Sequence, residues 1–375
     1  MSTTKPASGF IDRLRPEIRN LPAYNAGLSA EYVRARYRVE HVARLGSNEN
    51  PWGTSPAVLD AISRAVKDAA LYPDPSSDKL REELAARMGI PPERLAFGNG
   101  SEDLIAVCAQ AFLAPGDEMI TIAPSFGLHP IYAQAAGATV HAVRVRDDHS
   151  IDVPAILDAL TPRTRMLMFS SPSNPAGTTI SAGELRQLLS AVGTGTLLVL
   201  DEAYFEYAST APGYKSFLQV LMESSSVSWI LLRTFSKAYG LAGLRIGYGI
   251  ASDASLIDVI DRVRTPFNVN RLAQAGALAA IEETDFVREC VAKTIAEREQ
   301  VAVELARLGY RTAPSVANFL FFDAGEDANA FSQRLLETGV IAKPWREPGF
   351  ETHIRVSIGS PRANDQFLAA IASIV

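Results

Sequence analysis

The chain has 375 residues, 47% hydrophobic and 21% charged, with a formal net charge of −6. That length suggests about two or three domains and buries enough surface to need no disulfide or metal staple. The acidic balance excludes a nucleic-acid partner read through a basic face, and no run of apolar residues is long enough to span a membrane. Cys108 and Cys290 lie far apart in apolar helical surroundings and read as buried thiols. The first ten residues lack the apolar segment of a secretory signal, so the expected location is cytoplasmic.

Residues 1–45 are rich in Arg, Pro and Tyr without periodicity, and read as an arm plus part of a small domain. From 46 to 288, short apolar runs alternate with helical patterns. Strands are expected at 118–122, 139–145, 165–170, 196–200, 227–233 and 246–250, and helices at 103–113, 128–135, 153–160 and 182–192. Fully apolar strands separated by helices imply an α/β domain with a mainly parallel sheet covered on both faces. A long amphipathic helix over 285–308 leads into strands near 317–322 and 353–358 with a helix between them. Residues 289–375 therefore read as a smaller α+β domain.

Four patches carry chemistry. Thr234-Phe235-Ser236-Lys237 follows an apolar strand and precedes Gly240-Leu241-Ala242-Gly243-Leu244-Arg245. Open α/β folds bind ligands at that end of the sheet. A lone loop lysine is usually a solvated charge, but here hydroxyls, glycines and Arg245 flank it as phosphate donors. A buried lysine loses its proton readily, which Schiff-base chemistry requires. Asp201, in Asp201-Glu202-Ala203-Tyr204, ends another strand. It reads either as a helix N-cap or as the partner of a protonated pyridine nitrogen, with Tyr204 donating to a phenolic oxygen. In Ser171-Pro172-Ser173-Asn174-Pro175-Ala176-Gly177, Asn174 is a turn former or an amide donor to the same oxygen. Gly98-Asn99-Gly100-Ser101-Glu102-Asp103 runs into a helix and offers a phosphate cradle, without the spacing of a dinucleotide or ATP fingerprint.

Taken in order, these patches resemble those of fold-type I pyridoxal-phosphate enzymes of the aspartate-aminotransferase superfamily. Ser47-Asn48-Glu49-Asn50-Pro51-Trp52-Gly53, Tyr72-Pro73-Asp74-Pro75 and residues 234–247 narrow the resemblance to the histidinol-phosphate aminotransferases. Arg15-Pro16-Glu17-Ile18 and Pro22-Ala23-Tyr24 fit the arm of that family.

The resemblance implies a pyridoxal 5'-phosphate cofactor bonded to Lys237, which then shuttles the proton between substrate Cα and cofactor C4′. It implies that Asp201 holds the pyridinium, that Asn174 and Tyr204 hold the ring oxygen, and that Phe126 stacks on the ring where many relatives have Tyr. The phosphate falls to Ser101, Glu102, Thr234, Ser236 and Arg245. Tyr72 resembles a tyrosine that reaches the neighbouring subunit's cofactor, implying a homodimer with composite sites. On the substrate side stand Tyr24, Asn48, Arg355 and Lys343. Lys343 occupies a position where many members have a second arginine, and keeps the charge without the two-pronged geometry. The implied reaction is transamination between L-histidinol phosphate and 2-oxoglutarate in histidine biosynthesis. An aromatic amino acid aminotransferase and a phospho-amino-acid decarboxylase are the alternatives on this scaffold. A ligand-sensing DNA-binding regulator is disfavoured, because no helix-turn-helix head and no basic patch is present.

Overall fold

The structure, a computed structural model, describes residue 9, residues 13–224 and residues 226–374. Its strands are β1 (Ala43–Arg44), β2 (Leu95–Gly98), β3 (Glu118–Ala123), β4 (Thr139–Arg144), β5 (Thr164–Ser170), β6 (Leu197–Asp201), β7 (Ser228–Thr234) and β8 (Gly247–Ala251), followed by β9 (Phe319–Asp323), β10 (Val340–Ile341), β11 (Lys343–Pro344) and β12 (His353–Ser357). Seven of them form one sheet in the order β2-β8-β7-β6-β5-β3-β4. β3 to β7 pair in parallel, whereas β8 runs antiparallel to both of its neighbours. The reversal has a local cause. Segment 235–246, between β7 and β8, contains only a 3-10 turn, Ala242–Leu244, and no crossover helix to carry the chain back.

Alternation along the strands builds two cores. Leu167, Phe169, Leu198, Leu200, Trp229 and Leu231 face one side with the helices Ala182–Ala191 and Arg271–Ala280. Met166, Met168, Leu197, Val199, Ile230 and Leu232 face the other with the helices Ser101–Phe112 and Ala254–Val263. Because side chains two apart share a face, covering both faces demands apolar residues at every position. The expected strands therefore all form, within one or two residues of their expected ends. The shift at β6 matters, since it takes Asp201 into the strand, where it pairs with Ser170 and Leu232. β2 was not expected from the pattern.

The C-terminal part contains the antiparallel sheet β11-β12-β9 and the parallel pair β1–β10. Ala43 and Leu45 pack with Leu320, Phe322, Phe331, Ile354, Val356 and Phe367, so the segment before residue 46 contributes to this smaller core. The helix Thr284–Arg307 joins the two regions. Its first half packs Val287 and Val291 against Tyr204 and Tyr207, and its last turns bury Val301 and Leu305 in the smaller core. Among the described residues, no helix is long and apolar enough to cross a membrane.

Candidate active site

Parallel strands end on one side of a sheet, so the turns after β5, β6 and β7 converge. One cavity collects Asn174, Asp201, Tyr204, Thr234, Ser236 and Lys237 from those turns, Ser101, Glu102 and Phe126 from neighbouring elements, and Arg245 from the approach to β8. Tyr24, Asn48, Lys343 and Arg355 close it from the arm and the smaller sheet.

The lysine turn is braced locally. Ser236 N–H donates to Thr234 Oγ1 at 3.1 Å, and Leu241 N–H to the Phe235 carbonyl at 3.0 Å. Gly240 sits at φ +72°, where a Cβ would come 2.3 Å from the Gly53 carbonyl oxygen. Lys237 Nζ donates to the Ser47 carbonyl at 3.1 Å. Burial pushes its ammonium down to about 8, with help from Arg355 and Arg245 and opposition from Glu49.

Asp201 is not a helix N-cap of the usual kind; its Oδ1 accepts from Ala203 N–H two residues on, at 3.0 Å. Its Oδ2 lies 3.7 Å from Nε2 of His129, a fully buried histidine whose Nε2 has no hydrogen-bond partner. His129 sits three residues after Phe126, and the two rings meet edge to face at 5.5 Å. Sequence reasoning missed this histidine. The signal was its helical spacing from Phe126 at the start of the helix Leu128–Ala135.

Tyr204 is buried, which pushes its phenol up to about 12. Its hydroxyl accepts from Asn48 Nδ2 at 3.0 Å, while Asn48 Oδ1 accepts from Ser357 Oγ at 2.7 Å. Asn48 adopts φ +54°, a region asparagine tolerates better than most residues. Asn174 Oδ1 accepts from Arg355 Nη1 at 2.7 Å, and the other arm of that guanidinium donates to the Gly46 carbonyl. The Arg355 Nε–H is buried without a partner.

At the opposite end, the helix Ser101–Phe112 begins without a side-chain cap, leaving its first N–H groups free to donate. Gly247 permits this approach, because a Cβ there would lie 2.3 Å from the Ser101 nitrogen. Gly100, at φ +83°, leaves room for Arg245, whose Nη2 would otherwise meet a Cβ at 2.6 Å. Arg245 reaches the Asn99 carbonyl at 3.4 Å and lies 3.5 Å from Glu102, whose carboxylate also accepts from Tyr132 OH at 2.9 Å. The Glu102 carboxylate is thus engaged by Arg245 and Tyr132.

Lys343 and Arg355 are direct partners in the β11–β12 register, so their side chains share a face of that sheet. Lys343 Nζ bonds the Asn25 carbonyl and stands 5.6 Å over the Tyr24 ring, which meets Phe126 edge on at 6.0 Å. Burial, then the charges of Arg355 and Arg346, push the Lys343 ammonium down to about 8. Trp345 does not line the cavity; it packs behind Arg355, 6.0 Å from the guanidinium, and against Phe321. Tyr72 is also outside the cavity. It is 78% exposed and stacks on Phe267 at 4.6 Å.

Residues 40–371 match the model of the family described as aminotransferase class I and II. A protein of Mesorhizobium japonicum named histidinol-phosphate aminotransferase 1 is 48% identical over 97% of this chain and 99% of its own length. Histidinol-phosphate aminotransferase 3 of Rhizobium meliloti is 49% identical over 96% of this chain and 97% of its own. Among solved structures, histidinol-phosphate aminotransferase from Sinorhizobium meliloti in complex with pyridoxal-5'-phosphate superposes with a TM-score of 0.87. That similarity, at 30% identity, covers 97% of this chain and 98% of the other. By the extent of these matches and the ring of residues around one cavity, the chain belongs to the class I and II aminotransferases.

Proposed function

We propose that this aminotransferase uses pyridoxal 5'-phosphate to move the amino group of L-histidinol phosphate to 2-oxoglutarate. The observation that carries the reading is the register pair Lys343 and Arg355, two cations side by side across the cavity from Lys237. One anion, a carboxylate, would occupy Arg355 alone. The phosphate of histidinol phosphate, a donor without a carboxylate, spans Arg355 and Lys343 together.

The residues present fit the cofactor on three counts. Glycines 100 and 247 hold open a cradle that a Cβ at either position would fill. Asp201 is a buried carboxylate with no Lys or Arg partner within 4 Å among the described residues, as a cationic ring nitrogen requires. Lys237 has an amine that burial has made easy to deprotonate. When bound, the cofactor supplies an electron sink for the bonds of the substrate α-carbon.

The chain's own residues do the rest. Lys237 Nζ, once freed, holds and moves the proton at the substrate Cα. Asp201 keeps the ring nitrogen protonated, supported from behind by His129. Asn174, with its carbonyl occupied by Arg355, has its amide NH₂ left, which would donate to the ring oxygen together with Tyr204. Phe126 covers one ring face. Ser101, Glu102 backbone, Thr234, Ser236 and Arg245 receive the cofactor phosphate. Tyr24 and the arm shield the site from water. We assign residues 46–288 to cofactor binding, and residues 1–45 with 289–375 to substrate closure.

A homodimer completes the proposal. Leu59, Val66, Leu71 and Tyr72 are large apolar residues left exposed along one stretch, with Phe267 stacked beside them. Exposed apolar residues of this kind support an interface, and Tyr72 is not among the residues lining its own chain's cavity.

Titration of the loaded protein's visible band tests the substrate. Histidinol phosphate is expected to bleach it at far lower concentration than phenylalanine. Equal or better bleaching by phenylalanine would move the protein to aromatic substrates.

A further inference from the structure

Segment 124–129, which runs from a turn into the helix Leu128–Ala135, supplies both the ring proposed to cover the cofactor, Phe126, and the imidazole behind Asp201, His129. What fixes this segment comes from the other side of the molecule. Ser125 is buried, and its N–H points at the Glu347 carboxylate, 3.1 Å from Oε1 and 3.1 Å from Oε2. Ser125 Oγ lies 3.4 Å from His129 Nδ1 and 3.5 Å from Thr121 Oγ1. A continuous polar path therefore runs from Glu347 through Ser125 and His129 to Asp201.

Glu347 belongs to the connection between β11 and β12, the strands that carry Lys343 and Arg355. It makes no ion pair within 4 Å among the described residues. Burial pushes its carboxyl up to about 7, against the pull of the Ser125 N–H and of the Trp345 side chain. A half-buried carboxylate without a cation is a costly way to fill space. Packing alone would be served by an apolar side chain of the same size. The hydrogen bond spans 222 residues of sequence, so it ties two separately built parts together.

We propose that Glu347 is a positioning residue whose carboxylate clamps the Ser125 N–H, tying the strand pair that bears Lys343 and Arg355 to the segment that sets Phe126 and His129. This rests on the cofactor reading above. Anchoring of the substrate phosphate on β11 and β12 is thereby transmitted to the ring face and to the imidazole behind Asp201. Substrate grip and cofactor orientation become one mechanical unit.

The test uses the full chain with Glu347→Met, which keeps the volume and removes the acceptor, Glu347→Ala, and Glu347→Gln, which keeps one acceptor. Amide exchange of 124–129 is measured on cofactor-free protein. It is expected to rise by about tenfold or more in Met and Ala, and much less in Gln. In loaded protein, the pH midpoint of the lysine-bound visible band is expected to shift in Met and Ala. There, kcat is expected to fall by about tenfold with KM changed far less, and Gln to restore most of it. Exchange and midpoint both unchanged in whichever of Met or Ala folds would overturn the proposal, as would a loss of thermal stability alone. A wild-type protein with no visible band would defeat the cofactor reading instead, while the exchange measurement would still decide the clamp.

Discussion

Lys343 and Lys237 are both driven toward neutrality, and the consequences run in opposite directions. Lys237 must be neutral to bond the cofactor. Its ammonium loses the proton near 8 rather than 10.5, so the folded chain binds fewer protons than the unfolded chain between those values. The sign follows: cofactor capture by the cofactor-free protein is expected to rise by about tenfold per pH unit below 8 and to level off above it. Rapid-mixing measurements of band appearance across that range check this, and a flat profile would contradict it. Lys343 must be charged to hold phosphate, so affinity for inorganic phosphate in cofactor-loaded protein is expected to fall as pH rises through about 8. Lys343→Ala is expected to weaken histidinol phosphate by about tenfold or more while leaving phenylalanine within about twofold, read as kcat/KM for each. Equal losses would remove Lys343 from phosphate recognition. At this scale the sequence was legible wherever partners are neighbours in the chain. Thr234, Ser236 and Lys237 sit in one turn, and Asp201 with Tyr204 in another. The Asn174–Arg355 bond and the His129–Asp201 contact were not legible, because each joins residues far apart that only the folded strands bring together.

Elements were legible in proportion to how completely they are buried. β5, β6 and β7 bury both faces and announce themselves as apolar runs. β2 is buried too, but Leu95–Gly98 is four residues long and merges with the glycine turn that follows, so no run stands out. β1, β10 and β11 are two-residue strands that no periodicity reveals. The helix Pro56–Ala65 had a signal that went unread, Ser55 accepting from Val58 N–H with Pro at the first helical position. Ser55→Ala is expected to cost about 1 kcal/mol of stability, measured by urea denaturation, and an unchanged midpoint would refute the cap. The glycine at the start of β8 offers a sharper test. Gly247→Ala drives a Cβ toward the Ser101 nitrogen, and neither backbone can yield without opening the phosphate cradle. Cofactor affinity is expected to drop by about tenfold or more, roughly 1.4 kcal/mol, with the fold retained by circular dichroism.

In the whole molecule, the proposed homodimer with shared sites has a direct experiment. Tyr72 lies outside the cavity of its own chain, on the exposed patch with Phe267. If it serves the neighbour's cofactor, then Lys237→Ala and Tyr72→Ala chains, each impaired alone, complement when mixed. One site of each mixed dimer then has both residues, and about a quarter of wild-type activity is expected after subunit exchange. No recovery above the Tyr72→Ala level would place the tyrosine outside the partner's site. The change of pattern near residue 285 coincides with the start of the long helix Thr284–Arg307. The linking role of that helix was not legible, since its two halves bury residues in different cores.

The pairing of β1 with β10 joins Ala43 to Val340. During synthesis, the first strand to leave the ribosome must wait for nearly the last. At roughly 5–20 residues per second, that gap of about 300 residues leaves the strand without its partner for about 15–60 s. Throughout that time Ala43 and Leu45 lack the core they belong to, and the large sheet can assemble around them first. Birth order and packing order are thus inverted for this segment. A nascent chain stalled just short of residue 340 is expected to bind a hydrophobic dye that the finished protein excludes.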